Sequence, residues 1–461
     1  MTWRKPLIRS IFRLLRPGVL RELDLIKSIE KASPAAIKDV QRERLQRLLH
    51  HAWNATEYYR DVLEECGAVR AGAVNLDRFD DIPFLTKDII RSQGPRLRAK
   101  SLPEGRRAYV NQSGGSTGTP VQFWQDNMYW DATIATRAYH FSMVGKDLGE
   151  RELKIWGSDR DLFQGTIGVK AKVENWIYNR KFEQCFHLPE AQILKIIRDI
   201  NNWRPKMLWC YRDGIDAIAR YINRHELTVH RPSAVILGGA TVYPFIVQEI
   251  ERAFGCPALS AYGSREIGAA ACECLSRQGH HIATQAHVVE TIGTDGRPVM
   301  EQAGELSITP LLNYAMPMIR YRIGDQGRLT ERLCDCGRKF PLLESISGRI
   351  IEVLENSKGE HVDPAYFIHL LGVTFNSGNL RKFQVVQEDD LSLTINFVPE
   401  SNLEAEKVFS DIDEIKDKIR LVMGAHCGVK FSRVSDIALS VSGKHPYVVR
   451  RTPARIANGE N

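Results

Sequence analysis

The sequence predicts an α/β protein, in which a large α/β domain (residues 1–348) precedes a small α+β domain (349–461), and three observations carry that expectation. From about residue 106 onward, short apolar runs of strand length alternate with runs of helical period. After Arg349 the texture changes, and the remaining residues hold strands and a charged helix of their own. Within the large domain, residues 1–70 read as an N-terminal helical region.

Taken in order, the opening MTWRKPLIRSIFRLLRPGVLREL has six arginines and lysines through Arg21 and no acid before Glu22. Trp3, Leu7, Ile11 and Leu14 or Leu15 fall on one helical face. Such a helix either packs on its own domain or lies, through residues 1–21, on an anionic membrane surface. Residues 37–66 continue in helical period, with Leu45, Leu48, Leu49 and Trp53 on one side. In DDIPFLTKDII, Thr86 is placed to cap the following helix. AYV and VQFW then flank a glycine-rich loop, LKIW and PKMLWC read as strands, ILKIIRDI and GIDAIARYI as helices, and SAVILGG as a buried strand entering a tight turn. In the C-terminal part LSLTINFV and GVKFSRV are strands and EIKDKIRLVM a helix.

Composition narrows the function. A chain of 461 residues is long enough for two or three domains, and 43% hydrophobic with 26% charged residues is ordinary for a globular protein. No run of about 18 apolar residues suggests a membrane span, and the arginine-interrupted N-terminus does not read as a signal peptide. A net charge of +7 without an aromatic–basic ladder gives no reason to expect nucleic acid. Nine cysteines, an odd number, point to a reducing, cytoplasmic compartment. Five are scattered; Cys272/Cys274 and Cys334/Cys336 come as close pairs, which favours metal over disulfide.

The loop NQSGGSTGTP (111–120) offers backbone N–H groups, hydroxyls and little bulk, the properties of a phosphate-wrapping loop or of a plain turn. It lacks the lysine of a Walker loop and joins strand to strand rather than strand to helix. Downstream follow SAYGSREIG (260–268), YRIGDQG (321–327), SGR (347–349) and SGK (442–444). Together these resemble the ordered motifs of the adenylate-forming superfamily of acyl-CoA synthetases, luciferases and peptide-synthetase adenylation domains. Within it, LLHHAWNATEYYRDVL, PFLTKDII and CDCGRKFPLLESISGR are most similar to the phenylacetate–CoA ligase/CapK branch.

The resemblance implies the fold of that superfamily and a reaction in two halves. ATP and a carboxylic acid give an acyl-adenylate and pyrophosphate, and a nucleophile, usually the thiol of coenzyme A, then displaces AMP. It implies pyrophosphate contacts from Ser113, Gly114, Gly115, Ser116, Thr117, Gly118 and Thr119, and a magnesium ligand in Glu266, whose hard oxygens suit a phosphate-bridging cation. It further implies adenine stacking by Tyr262, ribose hydrogen bonds to Asp325, a ribose or phosphate contact from Arg349, and a mobile catalytic Lys444 on the small domain. The acyl pocket is expected from Tyr211, Arg212, Gly239, Ala240 and Ala261, with Arg212 either facing an acidic substrate group or serving as an ordinary surface arginine.

Three departures from the family pattern stand out: Gly348-Arg349-Ile350-Ile351-Glu352 at the hinge, Gly238-Gly239-Ala240 beside the adenine pocket, and Arg265 ahead of Glu266. The branch also implies a structural zinc site from Cys274, His281, Cys334 and Cys336, with His281 preferred to His280 and Cys272 in reserve. Three functions remain open at this point: an acid–CoA ligase, an adenylating enzyme serving an amine or hydroxyl acceptor such as a surface-polysaccharide sugar, and a non-catalytic nucleotide-binding protein.

Overall fold

The computed structural model describes residues 3–113, 121–156, 169–185, 188–349, 354–359, 361–362, 366–367, 370–375, 379–399, 403–438 and 445–451. The chain divides into two compact units, residues 1–242 with 247–346, and residues 243–246 with 347–461.

A twelve-stranded sheet dominates the larger unit. Arg180–Gln184, Glu152–Trp156, Met207–Tyr211, Ala234–Gly238 and Ala258–Ser264 run parallel along one side. Met207–Tyr211 and Ala234–Gly238 are buried at every position, as near-continuous apolar runs require of strands covered on both faces. The helices Glu190–Trp203 and Arg212–Arg224 connect these strands. From Ala258–Ser264 the sheet turns antiparallel through Gly268–Glu273, His280–Ile282 and Leu342–Arg349. It ends with Tyr321–Thr330, Ala303–Pro310, His287–Ile292 and Pro298–Val299.

The N-terminal helices pack on this sheet, but the first presents a different face from the expected one. In Arg4–Leu15 the buried residues are Ile8 and Phe12, while Trp3, Leu14 and Leu15 are 64%, 81% and 77% exposed. Lys5, Arg9 and Arg16 pair with Asp147, Asp24 and Asp131, so much of the helix's positive charge is answered by its own protein. The expected helix over 37–66 is two helices, Pro34–Ala55 and Glu57–Glu65, broken where the Thr56 side chain accepts the N–H of Tyr59. Thr86 caps Lys87–Leu97 by accepting the N–H of Ile89. No described helix is long and apolar enough to cross a membrane.

The smaller unit has a four-stranded sheet in the order Val429–Arg433, Leu393–Pro399, Leu380–Gln387, Val448–Arg450. Its helix Ile412–Met423, capped by Asp411, buries Ile415, Ile419 and Met423.

Candidate active site and a cysteine–histidine cluster

The glycine-rich loop is the tip of an antiparallel hairpin, Ala108–Gln112 with Gln122–Asp126. Ser113 closes its neck: its N–H donates to the Val121 carbonyl and its Oγ accepts the Val121 N–H, both at 2.9 Å. Ser113 therefore shapes the loop mouth through its oxygen while keeping one O–H to donate. Gly114, Gly115, Ser116, Thr117, Gly118 and Thr119 lie outside the described residues, as do Ile350, Ile351, Glu352 and Lys444. Arg349 ends the strand Leu342–Arg349.

The second strand of the hairpin itself carries a residue that motif reading missed. Gln125 accepts from Asn111 Nδ2 at 2.9 Å and donates to the Arg265 carbonyl at 2.7 Å. Tyr129, at the start of the helix Asn127–Ser142, donates to the Glu266 carbonyl at 3.1 Å. Ser264 Oγ donates to Glu266 Oε2 at 2.8 Å. The Glu266 side chain is 7% exposed, and among the described residues no hydrogen bond occupies its second carboxylate oxygen. The loop hairpin and the SREI turn are thus one hydrogen-bonded piece. Gly263 makes the turn possible, since a Cβ there would stand 2.1 Å from the Gly268 carbonyl oxygen.

Tyr262 and Asp325, distant in sequence, meet in space: the Tyr262 hydroxyl donates to Asp325 Oδ2 at 2.9 Å. Asp325 lies on Tyr321–Thr330, a strand anchored at its start by buried Arg320, which pairs with Glu290 at 2.9 Å and donates to the Ile82 carbonyl at 2.9 Å. The PFLTKDII segment is bound to the same strand, through Leu85 N–H to the Arg320 carbonyl and Arg322 N–H to the Leu85 carbonyl.

At the carboxyl ends of the parallel strands, where open α/β sheets place ligands, Tyr211 packs edge-on against Trp156 at 5.5 Å. Gly239 has φ +88°, and a Cβ on it would come within 2.3 Å of the Tyr211 ring, so glycine is what allows this ring to lie across the turn. Ala240 follows in that turn, and Ala261 is half-buried on the neighbouring strand. Arg212 is not the surface arginine considered above. It is 2% exposed, its Nε donates to Asp213 at 2.7 Å and its Nη1 to the Thr241 carbonyl at 2.6 Å. Its charge is directed at Asp213, and its donors tie down the turn that carries Gly239.

Cys274, His281, Cys334 and Cys336 come together, each offering one ligand atom with all four atoms within 4.8 Å of one another. Cys274 Sγ is 3.6 Å from Cys334 Sγ, and Cys336 Sγ is 3.4 Å from His281 Nε2. Tetrahedral zinc with Zn–S near 2.3 Å and Zn–N near 2.05 Å needs edges of about 3.8 Å and about 3.6 Å, so a small adjustment suffices. Strand alternation separates the two histidines: His280 Nδ1 meets the Leu343 carbonyl at 3.3 Å while His281 meets the cysteines. Cys272 stays outside the group. Burial pushes the His281 imidazole down to about 4, leaving it neutral near pH 7, the form that binds metal.

A model of the CapK C-terminal domain matches residues 354–451. The chain is 27% identical to a phenylacetate–coenzyme A ligase of Thermus thermophilus over 69% of its own length and 71% of that protein. It is 22% identical to protein CapK of Staphylococcus aureus over 89% of its own length and 88% of that protein. In fold it is similar to a 2-hydroxyisobutyryl-CoA ligase in complex with an acyl-adenylate, with TM-score 0.73, 19% identity and 91% of each chain covered.

Proposed function

We propose that the chain, which resembles the phenylacetate–CoA ligases and CapK, is an AMP-forming adenylating ligase that activates a carboxylic acid with ATP and passes the acyl group to coenzyme A. A carboxylate oxygen attacks the α-phosphorus and pyrophosphate leaves. The coenzyme A thiol then attacks the acyl carbon and AMP leaves. The observation that supports this most is the union of the loop hairpin, Glu266 and the Tyr262–Asp325 pair on neighbouring elements of one unit.

Each group has a task suited to its surroundings. Residues 113–119 surround the departing pyrophosphate. Glu266, its carboxylate held by Ser264 and its carbonyl by Tyr129, would hold a magnesium ion, which would supply neutralisation of phosphate charge. Asp325 takes the ribose hydroxyls on its carboxylate oxygens while Tyr262 fixes its orientation and flanks adenine. Arg349 adds a ribose or phosphate contact. Tyr211, Gly239, Ala240 and Ala261 border the acyl group, with Arg212 as the brace behind them. The C-terminal unit is the mobile one, and it brings Lys444 to the charge developing at the α-phosphate during adenylation only.

A second reading is transfer of the acyl group to an amine or hydroxyl acceptor. ATP–pyrophosphate exchange with a panel of carboxylic acids tests both, and coenzyme A or amines added afterward separate them. Exchange with no acid would leave only the non-catalytic nucleotide-binding reading. Lys444→Ala should abolish exchange yet retain thioester formation from a supplied acyl-adenylate. Loss of both half-reactions in a folded variant would remove the moving-lysine role.

A further inference from the structure

A second cleft of about 1040 Å³ lies in the larger unit, far from the residues just described. It is built by the segments that precede the strands Glu152–Trp156, Arg180–Gln184, Met207–Tyr211 and Ala234–Gly238. These strands run parallel, so the cleft is at their amino ends, while Tyr211 and Gly239 are at their carboxyl ends. Five residues of strand set the two regions roughly 16 Å apart.

Its lining is strongly unbalanced in charge. Arg4, Arg151, Arg204, Lys206 and Arg231 border it, against the single carboxylate of Glu150. Glu150 is itself engaged, accepting the Asp147 N–H at 2.7 Å. Among the described residues, Arg151, Arg204, Lys206 and Arg231 have no carboxylate partner. Elsewhere in this chain exposed arginines are commonly paired, as in Arg78–Asp81 and Arg96–Asp61. Gathering five cations around one concavity disfavours the folded chain by mutual repulsion and concentrates anions from solution.

The groups are also held in place. Lys206 N–H donates to the Arg151 carbonyl and Ser233 N–H to the Lys206 carbonyl, both at 2.8 Å, stitching three of the lining segments together. Arg151 Nη1 donates to the Trp203 carbonyl at 2.7 Å. Arg204 has φ +50°, a left-handed conformation that an L side chain seldom adopts and that glycine would take without strain. Two tryptophans complete the walls. Trp203 is half-buried, and Trp3 is 64% exposed beside Arg4, whose guanidinium lies 5.0 Å from the Trp3 ring and 4.9 Å from that of Trp176.

We propose that this cleft binds a multiply charged phosphate-bearing molecule, with Arg151, Arg204, Lys206 and Arg231 contacting its phosphate oxygens and Trp3 and Trp203 flanking its uncharged part. Guanidinium groups present paired donors that match phosphate oxygens, which favours phosphate over a single carboxylate. A soluble phosphoester and an anionic phospholipid headgroup share that chemistry. The site is independent of the proposed adenylation.

The full chain is titrated with inorganic tripolyphosphate, read by tryptophan fluorescence, and separately sedimented with vesicles of phosphatidylcholine alone or mixed with phosphatidylglycerol. Wild type should bind tripolyphosphate or the mixed vesicles, more weakly as salt rises. The double variant R204E/R231E should bind at least tenfold more weakly, and K206A, exposed enough to spare the fold, about threefold. ATP–pyrophosphate exchange should change less than twofold in both variants. Response to tripolyphosphate alone assigns a soluble phosphoester, response to phosphatidylglycerol vesicles alone assigns a headgroup, and response to both supports the shared site. Binding of neither probe by wild type, or equal binding by wild type and both variants, overturns it.

Discussion

Gln125 shows how one side chain can govern chemistry it does not perform. It joins Asn111 in the hairpin to the Arg265 carbonyl ahead of Glu266, and it is 1% exposed. Gln125→Leu keeps the volume but strands the Arg265 carbonyl and the Asn111 amide, each left unsatisfied at about 1–3 kcal/mol. Urea denaturation should register that loss, and pyrophosphate exchange should fall at least tenfold as Glu266 loses its alignment. An exchange rate at the wild-type level would separate Gln125 from the active site. Gly239 gives a packing counterpart. Gly239→Ala drives a methyl toward the Tyr211 ring and into a positive φ, costing roughly 1–3 kcal/mol. Adding Tyr211→Ala removes the clash but not the backbone strain, so a double-mutant cycle should recover part of the loss. Strict additivity would mean that the ring and the turn are uncoupled.

At the scale of elements, the strand Glu152–Trp156 holds a charge cluster that no motif announced. Glu152 is 1% exposed and pairs with Lys146 and Arg180, both at 2.7 Å. Burial by itself would raise its carboxyl, yet the two cations outweigh burial and hold it down at about 2, against an ordinary 4.5. A carboxyl depressed in the folded state stabilises the fold above its unfolded value, and that contribution is lost as pH falls from about 4.5 toward 2. It amounts to roughly 3 kcal/mol at neutral pH. The stability gap between wild type and Glu152→Gln, measured by urea denaturation, should therefore narrow on acidification through that window. A gap independent of pH would show that Glu152 acts by shape alone.

The same element also shows what sequence can and cannot reveal. Its apolar residues, and those of Met207–Tyr211 and Ala234–Gly238, have strand length and strand composition, so the three strands, and the burial of the last, are readable. The pairing of Glu152 with Lys146 and Arg180 depends on where a loop and the next strand return, which periodicity does not encode. The first helix illustrates a finer failure. Its arginines interrupt two overlapping apolar stripes, Trp3–Leu7–Ile11 and Ile8–Phe12, and only the packed neighbours decide that the second goes inward. Motif reading singled out Tyr262, Glu266 and Asp325, and the structure brings Tyr262 to Asp325 and ties Glu266 to Ser264 and Tyr129. Gln125 and Arg320 escaped notice because their partners are backbone carbonyls and buried groups far away in sequence.

For the whole molecule, the cysteine–histidine cluster has the widest reach. Cys274 follows the strand Gly268–Glu273 that continues from the SREI turn, whereas Cys334 and Cys336 precede Leu342–Arg349, the strand that leads out of the larger unit. One tetrahedral zinc would clamp these two segments beside His281, closing the site with protein ligands so that no position is left for substrate. Without metal, the site gathers the buried thiols of Cys274 and Cys334 with the Cys336 thiol and the His281 Nε2, weak mutual hydrogen-bonding partners that make a poor core. Protein purified without a metal-affinity tag should contain about one zinc per chain, and Cys334→Ser should lose it. Removal by a strong chelator should lower the melting temperature by roughly 5–10 °C, restored by added zinc but not by magnesium. Residual exchange activity in chelated but still folded protein is expected, because the ligands stand apart from Glu266 and Asp325 in the chemistry. Complete loss of exchange with unchanged melting temperature would assign the metal to catalysis instead, and absence of stoichiometric metal from active protein would remove the clamp altogether.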